Sequence, residues 1–415
     1  MTGTKTDRAT AIIARCREIA AHTEVPGEIT RLFLTPPMHS VHSLLRQWME
    51  SVRMAVHIDA IGNLRGRWGT ANSPRLIIGS HLDTVPNAGA FDGVLGVVLG
   101  IAIIEELQGR SLPFSIEVIG FSEEEGVRFS KPFLGSLAVV GNLDDADTLK
   151  RTDQNGISIS DAIRAYGLNP RDLPEAVLSK DTFAYLEFHI EQGPVLESDE
   201  LSLGIVEGLV GQTRMQFLFV GQANHAGTTP MNLRHDAMAA AAEWIVAVEE
   251  YANSHEGLVA TVGKLEASPG AGNVIAGAVK ASLDVRHADD QTRHNTVTAL
   301  TQSATKAGAK RGVQVTTRTE MEQPAVPLDP HLTTTLHNAA AKAGFPTRRM
   351  TSGAGHDAMI IAPTIPSAML FLRSPGGLSH HPDESVLPQD VEAALATAME
   401  FLSQLSDDRT KDDHA

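Results

Sequence analysis

Short apolar runs of strand type and longer apolar runs of helix length alternate early in the chain. RLIIGS (75–80) is followed by GVVLGIAIIEEL (96–107), then FSIEVIGF (114–121), then FLGSLAVVG (133–141). This order predicts βαβ units and a mostly parallel sheet. The period changes near residue 211. TRMQFLFVG, LVATVGKLEA and AVKASLDVRHA alternate between apolar and polar positions, as strands with one solvated face do. AMAAAAEWIVAVEEYA and TVTALTQSATKAGAKRG lie among them and are helical in composition. Two helices and about four strands make a compact α+β unit. After EQPAVPLDPHL the earlier style returns, with TTTLHNAAAKAG as helix, PSAMLFL as strand and DVEAALATAMEFLSQL as a closing helix. The predicted fold is therefore α/β, with a discontinuous larger domain over residues 1–210 and 327–415 and an α+β domain inserted at 211–326. No internal repeat is visible.

Composition narrows the function classes. The chain has 415 residues, and its hydrophobic share of 42% is ample for a large core. Lys+Arg is 34 and Asp+Glu is 50, so 34 − 50 gives a formal charge of −16, which argues against nucleic-acid or anionic-membrane partners. Cys16 is the only cysteine, so no internal disulfide is possible, and a reducing cytoplasm is the expected location. MTGTKTDRATAIIARC lacks the charged-then-apolar architecture of a signal peptide, and no apolar run is long enough to span a bilayer. The acidic tail SDDRTKDDHA is expected to be disordered.

Candidate chemistry collects where predicted strands end. GSHLDTVPNAGAFDG (79–93) places His81, Asp83 and Asp92 between a strand and a helix. Turn and cap chemistry explains aspartate, glycine and asparagine there, but imidazole and carboxylate are also the ligands of divalent metals. FSEEEGVRF follows the strand IEVIG, and ligands gather at the carboxyl ends of strands in open α/β sheets. Among Glu123, Glu124 and Glu125, one residue can bind metal while a neighbour serves as general base. FAYLEFHIEQGPVLE ends a strand at His189, with Glu191, Gln192 and Gly193 next. GGLSHHPDE follows PSAMLFL and offers His380 or His381, between which spacing does not choose. SGAGHDAM lacks a P-loop lysine and the spaced glycines of a phosphate cradle, so it reads as a tight loop, with His356 and Asp357 either supporting the site or purely structural. In the inserted domain, GQANHAGTTPM holds His225, and GNVIAGAVKASLDVRHADD holds Asn273 and Arg286. Arg286 suits a carboxylate because its planar fork bonds bidentately, though it also alternates as an exposed strand residue does.

Taken together, HLDTV, FSEEEGVRF, HIEQGP, HAGTTPM, SGAGHDAM and GLSHHPDE resemble, in order, the motifs of the M20 family of dinuclear-metal amidohydrolases and peptidases. The resemblance runs from about residue 10 to 405. HIEQGP and HAGTTPM point to the ureido branch, which holds allantoate amidohydrolases, N-carbamoyl-L-amino-acid hydrolases and β-ureidopropionases. GQTR, FLGS and SGAGHDAM look most like the allantoate amidohydrolases. Two features depart from the pattern: PNAGAFDG is poorer in glycine, and GLSHHP adds His381 beside the expected ligand.

The resemblance implies two divalent ions per subunit, Mn or Zn, held by His81, Asp92, Glu125, His189 and His380. It implies that Asp92 bridges them, that Asp83 orients His81 and that Glu124 is the general base. Gln192, His225, Asn273 and Arg286 match substrate-binding positions, with His225 also stabilising an oxyanion. The larger domain is then catalytic, and the inserted one a lid and dimerisation domain of a homodimer. The expected reaction is hydrolysis of a ureido C–N bond in a small carboxylate substrate, foremost allantoate to ureidoglycine, ammonia and carbon dioxide. An N-carbamoyl-L-amino-acid hydrolase is the alternative. A peptidase is disfavoured by HIEQGP, and a non-catalytic binder by an intact Glu124.

Overall fold

A computed structural model describes residues 5–70, 72–143 and 146–412. The chain divides into two compact units, with the breaks between Glu207 and Gly208 and between Val326 and Pro327.

The larger unit is built on a nine-stranded sheet. Its centre is four neighbouring parallel strands, in the spatial order Ser115–Phe121, Arg75–His81, Thr182–Ile190 and Ser367–Leu372. Antiparallel strands flank them, Leu64–Trp68 beside Ser115–Phe121 and Leu203–Leu209 beside Ser367–Leu372. Ser115–Phe121 and Ser367–Leu372 are buried at every position, as strands covered on both faces must be. The helix Val94–Glu106 is apolar around its whole circumference and buried from Val94 to Ile104. It lies on Arg75–His81 and is itself covered by the helices Lys5–Ala20 and Pro388–Asp412, so as far as Ile104 no face of it meets water.

One charge sits deep in this sheet. Glu117, in a central strand, receives Arg65 Nε at 2.9 Å and Arg65 Nη2 at 3.2 Å, with Arg75 Nη1 at 2.7 Å. The two guanidiniums offset the burial of the carboxylate, which is held below the usual range in spite of its desolvation.

The smaller unit carries a five-stranded antiparallel sheet, with the strand path Leu265–Ser268, Ala278–His287, Gly211–Val220 and Gln314–Gln323, and Val259–Thr261 also pairing with Ala278–His287. Gly211–Val220 alternates in burial, turning Met215, Phe217 and Phe219 towards the helices. Trp244, on the helix Ala237–Asn253, packs on Phe217 at 4.3 Å and Phe219 at 5.6 Å between ring centroids. Its indole N–H donates to the Leu300 carbonyl, so the buried polar tip is satisfied.

Two expectations change. LVATVGKLEA is two strands rather than one, because the Ser282 hydroxyl accepts the Lys264 N–H at 2.9 Å and interrupts the ladder between them. The acidic tail is helical as far as Asp412, continuing Pro388–Asp412, with residues 413–415 outside the described residues. That helix already has its apolar stripe docked, and a docked helix propagates cheaply into polar sequence. No helix among the described residues is long and apolar enough to cross a membrane.

Candidate metal centre

The four parallel strands end side by side, and each leads into one of the singled-out motifs. His81 is the last residue of its strand, Glu123–Glu125 follow Phe121, His189 is the penultimate residue of its strand, and His380 lies in the loop after Leu372. Asp92 stands just ahead of the helix Val94–Glu106. The helix start comes so close to the site that a Cβ on Gly93, whose φ is +66°, would lie 2.5 Å from atoms of the His81 ring. Glycine is required there on both counts.

Three overlapping groups of side chains bring potential ligand atoms together: His81, Asp92 and His189; His81, Glu124 and Glu125; and Asp92, Glu125 and His380. His189 Nε2 is 3.2 Å from Asp92 Oδ1 and 3.4 Å from His81 Nε2, and His81 Nε2 is 3.7 Å from Asp92 Oδ1. On the other carboxylate oxygen, His380 Nε2 is 3.3 Å from Asp92 Oδ2 and 3.4 Å from Glu125 Oε1.

Hydrogen bonding decides which ring nitrogens face inward as lone pairs. His81 Nδ1 lies 3.0 Å from the Asp83 carbonyl, and His189 Nδ1 lies 2.9 Å from the Ile190 carbonyl. A carbonyl only accepts, so each Nδ1 carries the proton and a neutral ring presents a bare Nε2. Two bare nitrogens and a carboxylate oxygen then converge in a buried space, which is repulsive unless positive charge, a proton or a metal ion, lies between them. Tetrahedral ligands at bond lengths of about 2.0–2.2 Å stand about 3.3–3.6 Å apart, close to the separations seen here. The residues present therefore fit a divalent metal.

The electrostatics of the cluster ask for positive charge. Burial works against a charged His81, yet Asp83, Glu124 and Asp92 outweigh it and hold its pKa well above the ordinary value, so in the metal-free protein Nε2 carries a proton that a metal would displace. Burial likewise works against an ionised Asp92, but hydrogen bonds and charge from His189, His380 and His81 hold its carboxyl well below the usual range. Burial pushes the Glu124 carboxyl well above the carboxylate range despite His81, and it pushes Glu125 up to about 7. A raised carboxyl beside a metal-type cluster is the property wanted in a group that takes and returns a proton.

A second layer fixes these loops. Asp83 accepts the Glu124 N–H on Oδ1 and the Glu125 N–H on Oδ2, both at 3.0 Å. The bond to His81 comes from the Asp83 carbonyl, with the carboxylate Oδ1 3.6 Å from the same nitrogen. Asn63 Oδ1 accepts the Ser122 N–H at 3.0 Å while its amide donates to the Gly135 carbonyl at 3.1 Å, so the chain into the glutamates is clasped from both sides. Arg31, fully buried, donates from Nε to the Leu82 carbonyl at 2.6 Å. Asn63 and Arg31 lie far from the motifs in sequence, and nothing local marks them.

The remaining candidates fall in different places. Gln192 donates from Nε2 to Asp92 Oδ1 at 3.2 Å, which puts it at the cluster. His381 instead turns away, its Nδ1 accepting the Asp383 N–H at 3.2 Å. His356 bonds Ser352 Oγ at 3.0 Å and tilts against the His189 ring at 4.4 Å, while Asp357 begins a short helix and is fully buried. Glu191 accepts the N–H groups of Val195 and Leu196 and serves that turn. In the smaller unit, His225 and Val274 are register partners, so His225 and Asn273 are neighbours. His225 Nδ1 accepts the N–H groups of Gly227 at 3.1 Å and Thr228 at 3.2 Å, which keeps the proton of a neutral ring on Nε2 as a donor. Arg286 is held by Asp284, which receives its Nε and Nη2 at 3.1 Å each and also binds Gln212 and Arg214. The sequence reading passed over Asp284, although DVR places it on the same strand face as Arg286.

The model of peptidase family M20/M25/M40 matches residues 77–405. Allantoate deiminase 2 of Glycine max is 38% identical, over 95% of this chain and 89% of its own. The N-carbamoyl-L-amino acid amidohydrolase of Geobacillus stearothermophilus is also 38% identical, over 92% of this chain and 94% of its own. A crystal structure of an amidase of the hydantoinase/carbamoylase family from Burkholderia multivorans superposes with a TM-score of 0.90 at 30% identity, covering 95% of this chain and 97% of that one.

Proposed function

Because the chain belongs to peptidase family M20/M25/M40, we propose that it is a metal-dependent hydrolase of a ureido C–N bond, with allantoate as first substrate and ureidoglycine, ammonia and carbon dioxide as products. The observation that carries this reading is the convergence of bare His81 and His189 nitrogens on Asp92, with the raised Glu124 carboxyl beside them. Likeness over almost the whole chain to an allantoate deiminase supports the substrate.

Five side chains, His81, Asp92, Glu125, His189 and His380, would hold two divalent ions, Mn or Zn, with Asp92 shared between the groups. Such ions supply Lewis acidity towards a carbonyl oxygen and make water a stronger acid. Glu124 takes the proton of the attacking water and passes it to the leaving nitrogen. His225, whose neutral ring carries its proton on Nε2, is the proposed donor to the developing oxyanion. Arg286, its guanidinium oriented by Asp284, and Asn273 are the proposed partners of the substrate carboxylate, and Gln192 is a further substrate-binding candidate. The smaller unit is the proposed lid and dimerisation domain of a homodimer. A lone buried cysteine supports a cytoplasmic location.

The second reading, an N-carbamoyl-L-amino-acid hydrolase, rests on equal identity to an enzyme of that name. Turnover of allantoate and a series of N-carbamoyl amino acids, with Mn or Zn supplied, separates the two. Allantoate left unconsumed with either metal, beside rapid decarbamoylation of amino acids, overturns the first reading in favour of the second.

A further inference from the structure

Glu384 closes the motif GLSHHPDE in the loop that carries His380, with no role assigned to it so far, yet it grips the loop that bears Asp92. It is buried, and its Oε1 accepts two backbone N–H groups, those of Phe91 and Asp92, at 3.0 Å each. Its Oε2 accepts the Ser379 hydroxyl at 3.3 Å. Ser379 Oγ also accepts from Gln192 Nε2 at 3.1 Å, and the same nitrogen donates to Asp92 Oδ1 at 3.2 Å. The chain of bonds therefore closes on itself, from Asp92 through Glu384, Ser379 and Gln192 back to Asp92. Packing holds it in place, since a Cβ on Gly89 would lie 2.3 Å from Glu384 Oε1.

We propose that Glu384 and Ser379 are positioning residues that set the backbone and carboxylate of Asp92 for metal, and that Glu384 acts as a hydrogen-bond acceptor rather than as a charge. The inference rests on the metal reading above. The geometry explains why acceptance is what counts. One oxygen serves both N–H groups, so an amide at this position keeps both bonds, and its NH2 can donate to Ser379 in place of accepting from it. Through these bonds the loop bearing His380 and the loop bearing Asp92 move as one piece. Supporting bonds of this kind orient ligands that touch the ion directly.

The test compares the intact protein with Glu384→Gln, Glu384→Ala and Ser379→Ala. Metal affinity and stoichiometry are read by chelator competition with Zn and Mn, and ligand geometry by the visible spectrum of the Co-substituted protein. Far-UV circular dichroism checks folding. Glu384→Ala should lose about 10- to 100-fold in metal affinity and change the Co spectrum, the usual range for a group that supports a metal ligand. Glu384→Gln should stay within about threefold of wild type, because both N–H groups keep their acceptor. A folded Glu384→Ala with wild-type affinity and spectrum overturns the proposal, and a Glu384→Gln as weak as Glu384→Ala overturns acceptance in favour of charge. If Glu384→Ala does not fold, Ser379→Ala decides: weakened metal binding and an altered Co spectrum support the ring, and wild-type values overturn it. A wild-type protein that binds no divalent metal would instead defeat the metal reading itself, which separates the two failures.

Discussion

Asp83→Asn is the sharpest perturbation of the centre, because it changes one atom and leaves the volume alone. In the native chain each carboxylate oxygen accepts one backbone N–H, Oδ1 that of Glu124 and Oδ2 that of Glu125, both at 3.0 Å. An asparagine offers one oxygen. Whichever way the amide turns, its NH2 faces a second N–H, and a buried donor is left without an acceptor. Losing one charge-assisted hydrogen bond costs about 1.5–3 kcal/mol. At about 1.4 kcal/mol per factor of ten, this is a loss of roughly 10- to 150-fold in an equilibrium constant. If the metal-free loop relaxes, the cost falls on metal affinity, because the ion must then reorder Glu124 and Glu125. If the loop stays in place, the cost falls on folding stability. The assay is chelator competition for Zn and Mn, with thermal unfolding of the metal-free protein measured alongside. Asp83→Asn with both metal affinity and melting temperature unchanged would refute the reasoning. The contrast with Glu384 is instructive: there a single oxygen serves both N–H groups, so the same acid-to-amide change is expected to be mild.

Three further outcomes follow from the same geometry. Glu124→Gln should keep its metal, measured by elemental analysis, and lose about 10²–10⁴-fold in kcat, the usual worth of a general base; wild-type turnover would move that role to another residue. His380→Ala should weaken metal binding far more than His381→Ala, because His380 faces Asp92 and Glu125 while His381 turns to Asp383, and a reversed order would sink the assignment. Arg286→Ala should raise KM for carboxylate substrates by about tenfold or more, the worth of a charge-assisted bond, with metal content unchanged; equal KM for a substrate amide and its carboxylate in wild type would give Arg286 another task.

Much of the architecture was written in local periodicity. Runs buried on both faces, such as SIEVIGF and SAMLFL, can only be central strands of a covered sheet, and alternating runs such as TRMQFLFV can only have one wet face. Chemistry-bearing residues stood out for a related reason. His81, the three glutamates and His189 break apolar strands at their ends, where a fold alone has no use for them. What sequence spacing left open was every relation between distant segments. LVATVGKLEA gave no sign of its break, because Ser282 sits on the paired strand. The choice between His380 and His381 depends on which ring faces Asp92, almost three hundred residues earlier. The supporting residues were the least visible. Asn63, Arg31 and Glu384 act by hydrogen bonds to backbone groups of other loops, as Asp83 does on the glutamates, and a backbone N–H or carbonyl has no letter in the sequence. Side-chain identity and period thus determined the elements and the donors of the site. Only the packed chain decided which donors meet and what holds them, because those bonds join segments whose separation along the chain carries no information about their distance in space.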